Sequence, residues 1–156
     1  GKRVVSGSDK LVKIWHAETG AEVRTLRGHS QCVGQVAFSP DGAQVFTGSG
    51  DCTVRFWHVG SGLQTHQLAG RRFTLVEGPS HGRKRVRHIL TELDDTLRIY
   101  QVANERQHVE YGGTDSPLAC FKAPQQMKAV RCHGAGICVG CHDGAVCMLS
   151  APFLIA

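Results

Sequence analysis

The chain repeats one short pattern at intervals of about forty residues, and this periodicity limits its possible folds more than any other feature. Each copy starts with an aspartate and continues with alternating apolar and polar residues, and three of the four copies end in an aromatic residue. The copies are Asp9–Trp15, Asp51–Trp57, Asp94–Tyr100 and Asp143–Leu149, which begin 42, 43 and 49 residues apart. An internal period of this length predicts a structure built from similar supersecondary units.

The residues of each repeat favour β-strands. The segments LVKIWHA and VRFWHV alternate apolar and polar side chains and are rich in β-branched and aromatic residues. Turn sequences separate such segments, including SPDG at 39–42 and HDG at 142–144. No segment of helical length shows a helical period. Short strands, tight turns and the long period predict an all-β chain of four-stranded sheets repeated around an axis.

Composition narrows the classes of protein. No apolar run reaches the roughly 18 residues of a membrane-spanning helix, so we expect no membrane association. The net charge of +5 permits an acidic protein or a nucleic acid as partner without requiring either. Seven irregularly spaced cysteines and the lack of a signal peptide predict reduced thiols and an intracellular setting, cytoplasmic, nuclear or both. The first residue is Gly1 rather than methionine, which predicts a fragment or a processed chain.

The segment GHSQCVGQVAFSPDGAQVFTGSGDCTVRFWHVGSG, from Gly28 to Gly62, resembles a WD repeat. It has the opening Gly-His, the Ser-Pro-Asp-Gly hairpin, a Ser/Thr-rich strand, the turn aspartate and the tryptophan. The resemblance is most specific over residues 1–70 and degenerate afterwards. It implies a partial β-propeller of three to four four-stranded antiparallel blades, forming an arc of a larger, seven-bladed ring. A closed ring of about four blades is the alternative.

The resemblance divides the chain into approximate blades. Residues 1–28 form a partial first blade that begins at its second strand, and residues 29–70 form the second blade. A degenerate third blade covers 71–123, with an insertion near 103–116. A degenerate, incomplete fourth blade covers 124–156, where PFLIA is too short to predict an outer strand. The remaining blades of the parent propeller are therefore expected partners of this segment.

The WD-repeat resemblance implies a hydrogen-bonded relay inside each blade, formed by a histidine, a strand serine or threonine, the turn aspartate and the tryptophan. In the second blade these positions are His29, Thr47, Asp51 and Trp57, which we call the His29 relay. A buried indole and imidazole need hydrogen-bond partners, and a carboxylate supplies acceptors. Threonine, histidine and aspartate are also the residue types of a catalytic triad. We predict a structural role, because these are structural positions of the repeat and no oxyanion site is indicated.

Other repeats keep only part of this pattern. The first repeat retains Ser6, Asp9 and Trp15, but its serine and aspartate are one residue closer together than Thr47 and Asp51. The third and fourth repeats carry tyrosine and leucine in place of the tryptophan. We therefore expect the later blades to be held by packing more than by hydrogen bonds.

Cysteines and histidines near the carboxyl end raise the question of a zinc site. They are Cys132, His133, Cys138, Cys141, His142 and Cys147. The pair at 138 and 141 has C-x-x-C form, but structural zinc sites usually draw on two such pairs. On a strand, residues three apart point to opposite faces. The sequence therefore predicts small core residues rather than metal ligands, and no other motif implies a cofactor or an enzymatic reaction.

The densest basic run lies at residues 81–88 and is reinforced by a pair of arginines at positions 71 and 72. Such a run could meet the phosphates of RNA or DNA, although no aromatic residues are interleaved to stack on bases. The alternative is a solvated hairpin between the first two strands of the third blade. The residues of the predicted basic patch are Arg71, Arg72, Arg83, Lys84, Arg85 and Arg87.

As to function, the resemblance implies a rigid platform for interaction with other proteins or peptides. Its expected contact positions precede the turn aspartate or follow the Gly-His pair. They are Ser8, Ser30, Cys32, Gly50, Leu93 and His142. These residues are small or uncharged and predict no ligand charge. Two other hypotheses remain open: a propeller that binds RNA or another nucleic acid through the basic run, and an accessory carboxy-terminal propeller of a larger enzyme or signalling ATPase.

Overall fold

The fold is built from antiparallel β-strands, which confirms the all-β class expected from the sequence. A computed structural model describes residues 2–80, 83–101, 117–123, 126–133 and 136–150, and within these ranges it contains strands and turns but no helix. The described strands form four sheets in which each strand pairs with the next along the chain. The chain divides into two compact units, residues 1–73 and 74–156.

The first unit contains a three-stranded first sheet and a four-stranded second sheet. Their strands are β1 (Arg3–Ser8), β2 (Leu11–His16), β3 (Glu22–Arg27), β4 (Val33–Phe38), β5 (Gln44–Ser49), β6 (Thr53–His58) and β7 (Gln64–Ala69). Trp15 lies on the second strand of its sheet, whereas Trp57 lies on the third strand of its own. The first sheet therefore corresponds to the last three strands of the second.

The later repeats form a third sheet of four strands and a fourth sheet of three described strands. Their strands are β8 (Arg72–Ser80), β9 (Arg83–Leu93), β10 (Thr96–Gln101), β11 (Ala119–Lys122), β12 (Met127–His133), β13 (Gly136–Cys141) and β14 (Val146–Ser150). The insertion expected near 103–116 and the segment PFLIA lie outside the described residues. The number of blades in a parent ring stays a prediction.

The shorter spacing in the first repeat is a difference in turn length. Between β1 and β2 the register pairs Ser8 with Leu11, so the turn contains only two residues. Three residues separate β5 from β6. Asp9 has a φ of 41° in the short turn, and Cys52 has a φ of 63° in the longer one. Aspartate tolerates this left-handed region better than most residues, which suits it to the two-residue turn.

Each unit has its own apolar core. In the first unit, Val12 and Ile14 of β2 and Leu26 of β3 pack with Val45 and Trp57 of the second sheet. Val12 and Ile14 alternate with more exposed neighbours along β2, as the sequence pattern predicts, whereas every residue of β5 is buried. The core of the second unit is formed by Leu90, Leu97, Ile99, Ala123, Met127, Val130, Ile137, Val139 and Cys141.

Glycines allow close approach at equivalent places on β1 and β5. A Cβ added at Gly7 would lie 2.8 Å from Cγ1 of Val33, and one added at Gly48 would clash with the backbone oxygen of Arg71. Both approaches are closer than any ordinary Cβ contact. A side chain at either position would therefore force the packed segments apart.

Candidate interaction site

Four side chains of the second sheet and the loop before it form a continuous run of hydrogen bonds. The indole N–H of Trp57 donates to Thr47 Oγ1 at 2.9 Å, and this oxygen lies 2.7 Å from Nε2 of His29. Nδ1 of His29 lies 2.8 Å from Oδ2 of Asp51. Thr47 is fully buried, and the side chains of His29 and Asp51 are 1% and 5% exposed. The structure thus brings together all four residues of the His29 relay.

The protonation states within the relay follow from burial and hydrogen bonding. The pKa of His29 lies below its ordinary value, mainly because the imidazole is buried. The charge of Arg55 also lowers this pKa, and the two effects outweigh the opposing effect of Asp51. Burial favours the neutral acid of Asp51, but hydrogen bonds from Thr53, His29 and the Ser30 N–H outweigh it and hold the pKa of Asp51 well below its usual range. At neutral pH the relay therefore contains an ionised aspartate and a neutral histidine. In that state His29 Nδ1–H donates to Asp51, and Thr47 donates to Nε2.

The relay fixes the loop of residues 28–32, which joins β3 to β4. The backbone N–H of Ser30 donates to Asp51 Oδ2 at 3.0 Å. Two further contacts hold Cys32, whose carbonyl oxygen accepts from Ser49 Oγ at 3.0 Å and from the N–H of Gly50 at 2.9 Å. These bonds satisfy polar groups that the loop would otherwise expose or bury unpaired. The loop is thus held at Ser30 and Cys32 by groups of the second sheet and of its β5–β6 turn.

An open groove of about 640 Å³ lies beside this loop. It is bounded by the turn between β1 and β2, by the end of β3 and by the loop itself. We call it the turn groove, and its lining residues are Asp9, Lys10, Leu11, Arg27, Gly28, His29 and Cys32. The carbonyl oxygen of Asp9 accepts from the N–H of Val33 at 2.7 Å and so ties the two walls together. The groove is therefore a preformed feature of the first unit.

The rim of the turn groove is polar and charged. Lys10 and Arg27 supply two cations, and Asp9 supplies one carboxylate. All three residues are exposed, as is Cys32, whose thiol is free. Only His29, at the base of the loop, is buried. The groove therefore presents exposed charges above a buried hydrogen-bonded support.

The first repeat holds a smaller version of the relay. The indole N–H of Trp15 donates to Ser6 Oγ at 2.9 Å, at a solvent-exposed position. The ammonium group of Lys13 lies 5.3 Å from the centre of the Trp15 ring. Asp9 does not join this pair through its side chain in the described structure; it contributes its backbone oxygen to the wall of the groove instead. Here Ser6 and Trp15 come together, and Asp9 does not.

The predicted contact positions are only partly brought together. Ser30, Cys32 and Gly50 lie on neighbouring segments, joined by the bonds to Asp51 and to the Cys32 carbonyl. Ser8 is exposed and directly precedes the turn that lines the groove. Leu93 and His142 belong to the second unit, where the N–H of His142 donates to the Gln126 oxygen at 3.0 Å. Their role as contact residues stays a prediction.

Sequence reasoning missed the two cations of the turn groove. Lys10 occupies the variable second position of the repeat pattern, Arg27 lies outside the pattern, and the expected contact positions are uncharged. The register places Arg27 opposite Leu11, directly next to Lys10. A predicted pairing of β2 with β3 would have identified this proximity, because opposite residues of an antiparallel pair lie about 5 Å apart. The signal was therefore the strand register rather than a motif.

The basic patch is only partly described. Arg71 and Arg72 are exposed and both make interactions with other groups. The side chains of Arg83, Lys84, Arg85 and Arg87 lie outside the described part of the structure. Binding of RNA or DNA through this patch stays a prediction.

The C-x-x-C pair does not converge. Cys141 is buried in the core of the second unit, whereas Cys138 occupies the alternate face of β13. Among the described residues, no group of three or more histidine, cysteine, aspartate or glutamate side chains is placed to hold a metal ion. The position of Cys141 agrees with its expected role as a small core residue.

In the described ranges, no helix is long and apolar enough to cross a lipid bilayer.

Comparison with known proteins places this chain beside proteins built from similar repeats. Residues 20–58 match the family described as WD domain, G-beta repeat. Over 58 residues the chain is 43% identical to B-type cell cycle switch protein ccs52B of Medicago truncatula, covering 37% of this chain and 12% of that protein. Over 140 residues it is 26% identical to Protein tipD of Dictyostelium discoideum, covering 90% of this chain and 21% of tipD. The chain thus spans about a fifth or less of the length of these relatives.

Solved structures show the same fold. The computationally designed propeller protein Ika4 matches 96% of this chain and 86% of its own length, with a TM-score of 0.67 and 21% identity. The designed protein Ika8 matches 96% of this chain and 43% of its own length, with a TM-score of 0.71 and 22% identity. At this level of identity the likeness concerns the fold alone. Together, these findings show that the chain has a propeller-like fold and that residues 20–58 are similar to a WD repeat.

Proposed function

We propose that the chain is a platform for protein–protein interaction and that the turn groove is one of its contact surfaces. The observation that carries this proposal is an exposed, charged groove whose wall, residues 28–32, is held by a buried hydrogen-bonded network. A surface that is already ordered loses little conformational freedom when a partner binds. Loops on a rigid β-scaffold are also the usual place for binding residues.

The geometry favours a structural role for the relay over a catalytic one. A nucleophile must reach its substrate, yet Thr47 is 0% exposed and its oxygen already contacts Trp57 and His29. In the described surroundings, the N–H of Ser30 that could have stabilised an oxyanion instead donates to Asp51. These contacts support a non-catalytic platform.

The relatives support the same general function and leave the partner open. Their names include a cell cycle switch protein, GID complex subunit 7 of Schizosaccharomyces pombe and Nuclear distribution protein PAC1 of Arthroderma otae. These names support an intracellular setting with protein partners. They do not distinguish the cytoplasm from the nucleus as the compartment. Apoptotic protease-activating factor 1 of Rattus norvegicus shares 38% identity over 64 residues, which are 5% of its length. The repeat can therefore form a small part of a much longer protein, as the accessory-propeller hypothesis requires.

A photo-crosslinker attached to Cys32 tests the proposed contact surface. The thiols of Cys32 and Cys120 are both free and exposed, so each can carry a maleimide–benzophenone reagent. One labelled chain carries Cys120→Ser and is labelled at Cys32. The other carries Cys32→Ser and is labelled at Cys120. The two labelled chains are irradiated in a cell extract, and crosslinked proteins are identified by mass spectrometry. We expect a discrete protein that crosslinks from Cys32 and not from Cys120, and that unlabelled wild-type chain displaces.

The captured protein is then purified and titrated against the unlabelled chain. Ser30→Trp, which adds a bulky uncharged side chain beside the groove, is expected to weaken its binding about tenfold, or 1.4 kcal/mol. Thr19→Trp adds the same side chain at an exposed turn at the other end of β2 and is expected to leave binding unchanged. Equal effects of the two substitutions, or identical crosslinks from both cysteines, would exclude the turn groove as a contact surface.

A further inference from the structure

We propose that the turn groove recognises an acidic peptide segment through its carboxylate groups. This inference rests on the proposed interaction function and adds the chemistry of the ligand. Its basis is the juxtaposition of Lys10, in the turn between β1 and β2, and Arg27, at the end of β3, which both line the same open groove.

The two cations are not neutralised by their surroundings. Within the described structure neither Lys10 nor Arg27 forms an ion pair, and Asp9 is the one carboxylate on the exposed rim. Asp51 lies beneath the loop, where Ser30, His29 and Thr53 occupy its oxygens. The groove therefore has an excess of exposed positive charge.

Two neighbouring charged groups, Glu22 and Arg55, do not remove the excess of positive charge in the groove. Arg27 contributes to the low pKa of Glu22, but the larger causes are hydrogen bonds from Lys13 and Thr25, which occupy that carboxylate. Arg55 lies next to Gly28 and adds a further positive charge near the loop, while its own N–H groups donate to Thr53 and Gln64. Lys10 and Arg27 remain the cations available to a ligand.

The shape of the groove fits a peptide. Its volume of about 640 Å³ is open to solvent, so it can receive one stretch of an extended chain that continues beyond it. Arg27 can bind a carboxylate through two parallel hydrogen bonds, whereas Lys10 acts as a point charge. Because both groups are exposed, the attraction should be modest and should weaken as salt screens it.

The test uses a fluorescein-labelled peptide of eight alternating glutamate and alanine residues, amidated at its carboxyl end. Its binding to the full chain is followed by fluorescence anisotropy at low and high salt, beside peptides with glutamine or lysine in place of glutamate. We expect the glutamate peptide to bind and the other two to bind at least about tenfold more weakly. A single-stranded RNA oligonucleotide that displaced the peptide and bound more tightly would overturn the peptide assignment.

Variants of matched charge identify the residues responsible. The double variant Lys10→Gln/Arg27→Gln is expected to weaken binding about tenfold. The double variant Lys2→Gln/Lys128→Gln removes the same charge elsewhere and is expected to weaken binding less than about twofold. Asp9→Asn is expected to strengthen binding about threefold, since it removes the rim carboxylate and asparagine accepts the same positive φ. Equal losses from the two double variants, or weaker binding by Asp9→Asn, would overturn the proposal.

The outcome is separable from that of the proposed function. Variants with unchanged thermal unfolding are compared, so that misfolding does not imitate a loss of binding. If Cys32 crosslinks a discrete partner but the glutamate peptide does not bind, the interaction surface stands and the acidic ligand is wrong. If the peptide binds as predicted but no partner crosslinks, the ligand chemistry stands and the proposed platform role of this groove is wrong.

Discussion

The indole N–H of Trp57 donates to Thr47 Oγ1 at 2.9 Å in a buried environment, and 42 residues earlier Trp15 donates to Ser6 Oγ at the same distance in an exposed one. The two bonds have the same length and different surroundings. Water can replace the partner of Trp15 but not that of Trp57. The energetic value of each bond should therefore depend on burial rather than on length.

Substitution of the two hydroxyl residues tests this difference. Thr47→Val keeps the shape of the side chain but leaves Trp57 and His29 without their shared partner, so we expect a loss of about 2–4 kcal/mol in the free energy of unfolding. Ser6→Ala should cost less than about 1 kcal/mol. Urea unfolding followed by tryptophan fluorescence measures both, because Trp15 and Trp57 both lie in the first unit. Equal losses would contradict a special role of the buried bond.

The lowered pKa values of His29 and Asp51 predict destabilisation in acid. Between the lowered pKa of folded His29 and its ordinary value of 6.5, the unfolded chain binds the proton more strongly, so stability falls as the pH falls. Asp51 adds a second loss below its ordinary value of 3.8, where the unfolded carboxylate becomes protonated first.

Urea unfolding at pH 7 and pH 5 separates the contribution of His29 from that of other histidines. We expect His29→Gln to be less stable than wild type at pH 7 and to lose less stability between the two pH values. His58→Gln, at an exposed position, serves as the control for the loss of an imidazole. A His29→Gln variant with the full wild-type loss would contradict the assigned neutral histidine.

The glycine on β5 should be required for packing. Gly48→Ala places a Cβ against the backbone oxygen of Arg71, and since backbone yields less easily than a side chain, we expect a loss of about 1–3 kcal/mol. Gly34→Ala, also on a strand of the second sheet, meets no atom within 4 Å and should change stability by less than about 1 kcal/mol. The measurement is the thermal unfolding of both variants. Indistinguishable unfolding transitions would show that β5 does not require a glycine at position 48.

Two arginines on β3 should have different roles. The guanidinium of Arg24 donates to the backbone oxygens of Ser61 and Gly60 at 3.0 and 2.7 Å, which joins the first sheet to a turn of the second. Arg24→Met should therefore cost about 1–3 kcal/mol of stability, whereas Arg27→Met, in the groove, should cost less than about 0.5. Denaturant unfolding of both variants is the measurement. The reverse order would show that Arg24 does not link the sheets.

Much of the fold was predictable because it depends on local patterns. The alternation in LVKIWHA and VRFWHV predicts β2 and β6, and the glycine and aspartate turn sequences predict the neighbouring strand ends. The resemblance to a WD repeat also implied that His29, Thr47, Asp51 and Trp57 would come together.

The charge of the turn groove could not be predicted in the same way. Lys10 lies in the turn before β2 and Arg27 ends β3, and only the pairing of these two strands brings Arg27 opposite Leu11, the residue after Lys10. The burial that separates Thr47 from Ser6 has a similar origin, because it depends on which sheet face is covered. Both properties arise from tertiary contacts that single-strand patterns do not encode.

Amide hydrogen exchange tests most directly whether the relay holds the wall of the groove. The N–H groups of Ser30, Val33 and Gly50 are measured in wild type and in Asp51→Ala, with the N–H groups of β2 as the reference. We predict that the Ser30 and Gly50 amides lose protection at least about tenfold in the variant while those of β2 keep theirs. Unchanged protection of Ser30 and Gly50 in a folded Asp51→Ala chain would contradict the assignment of the relay as the support of the interaction surface.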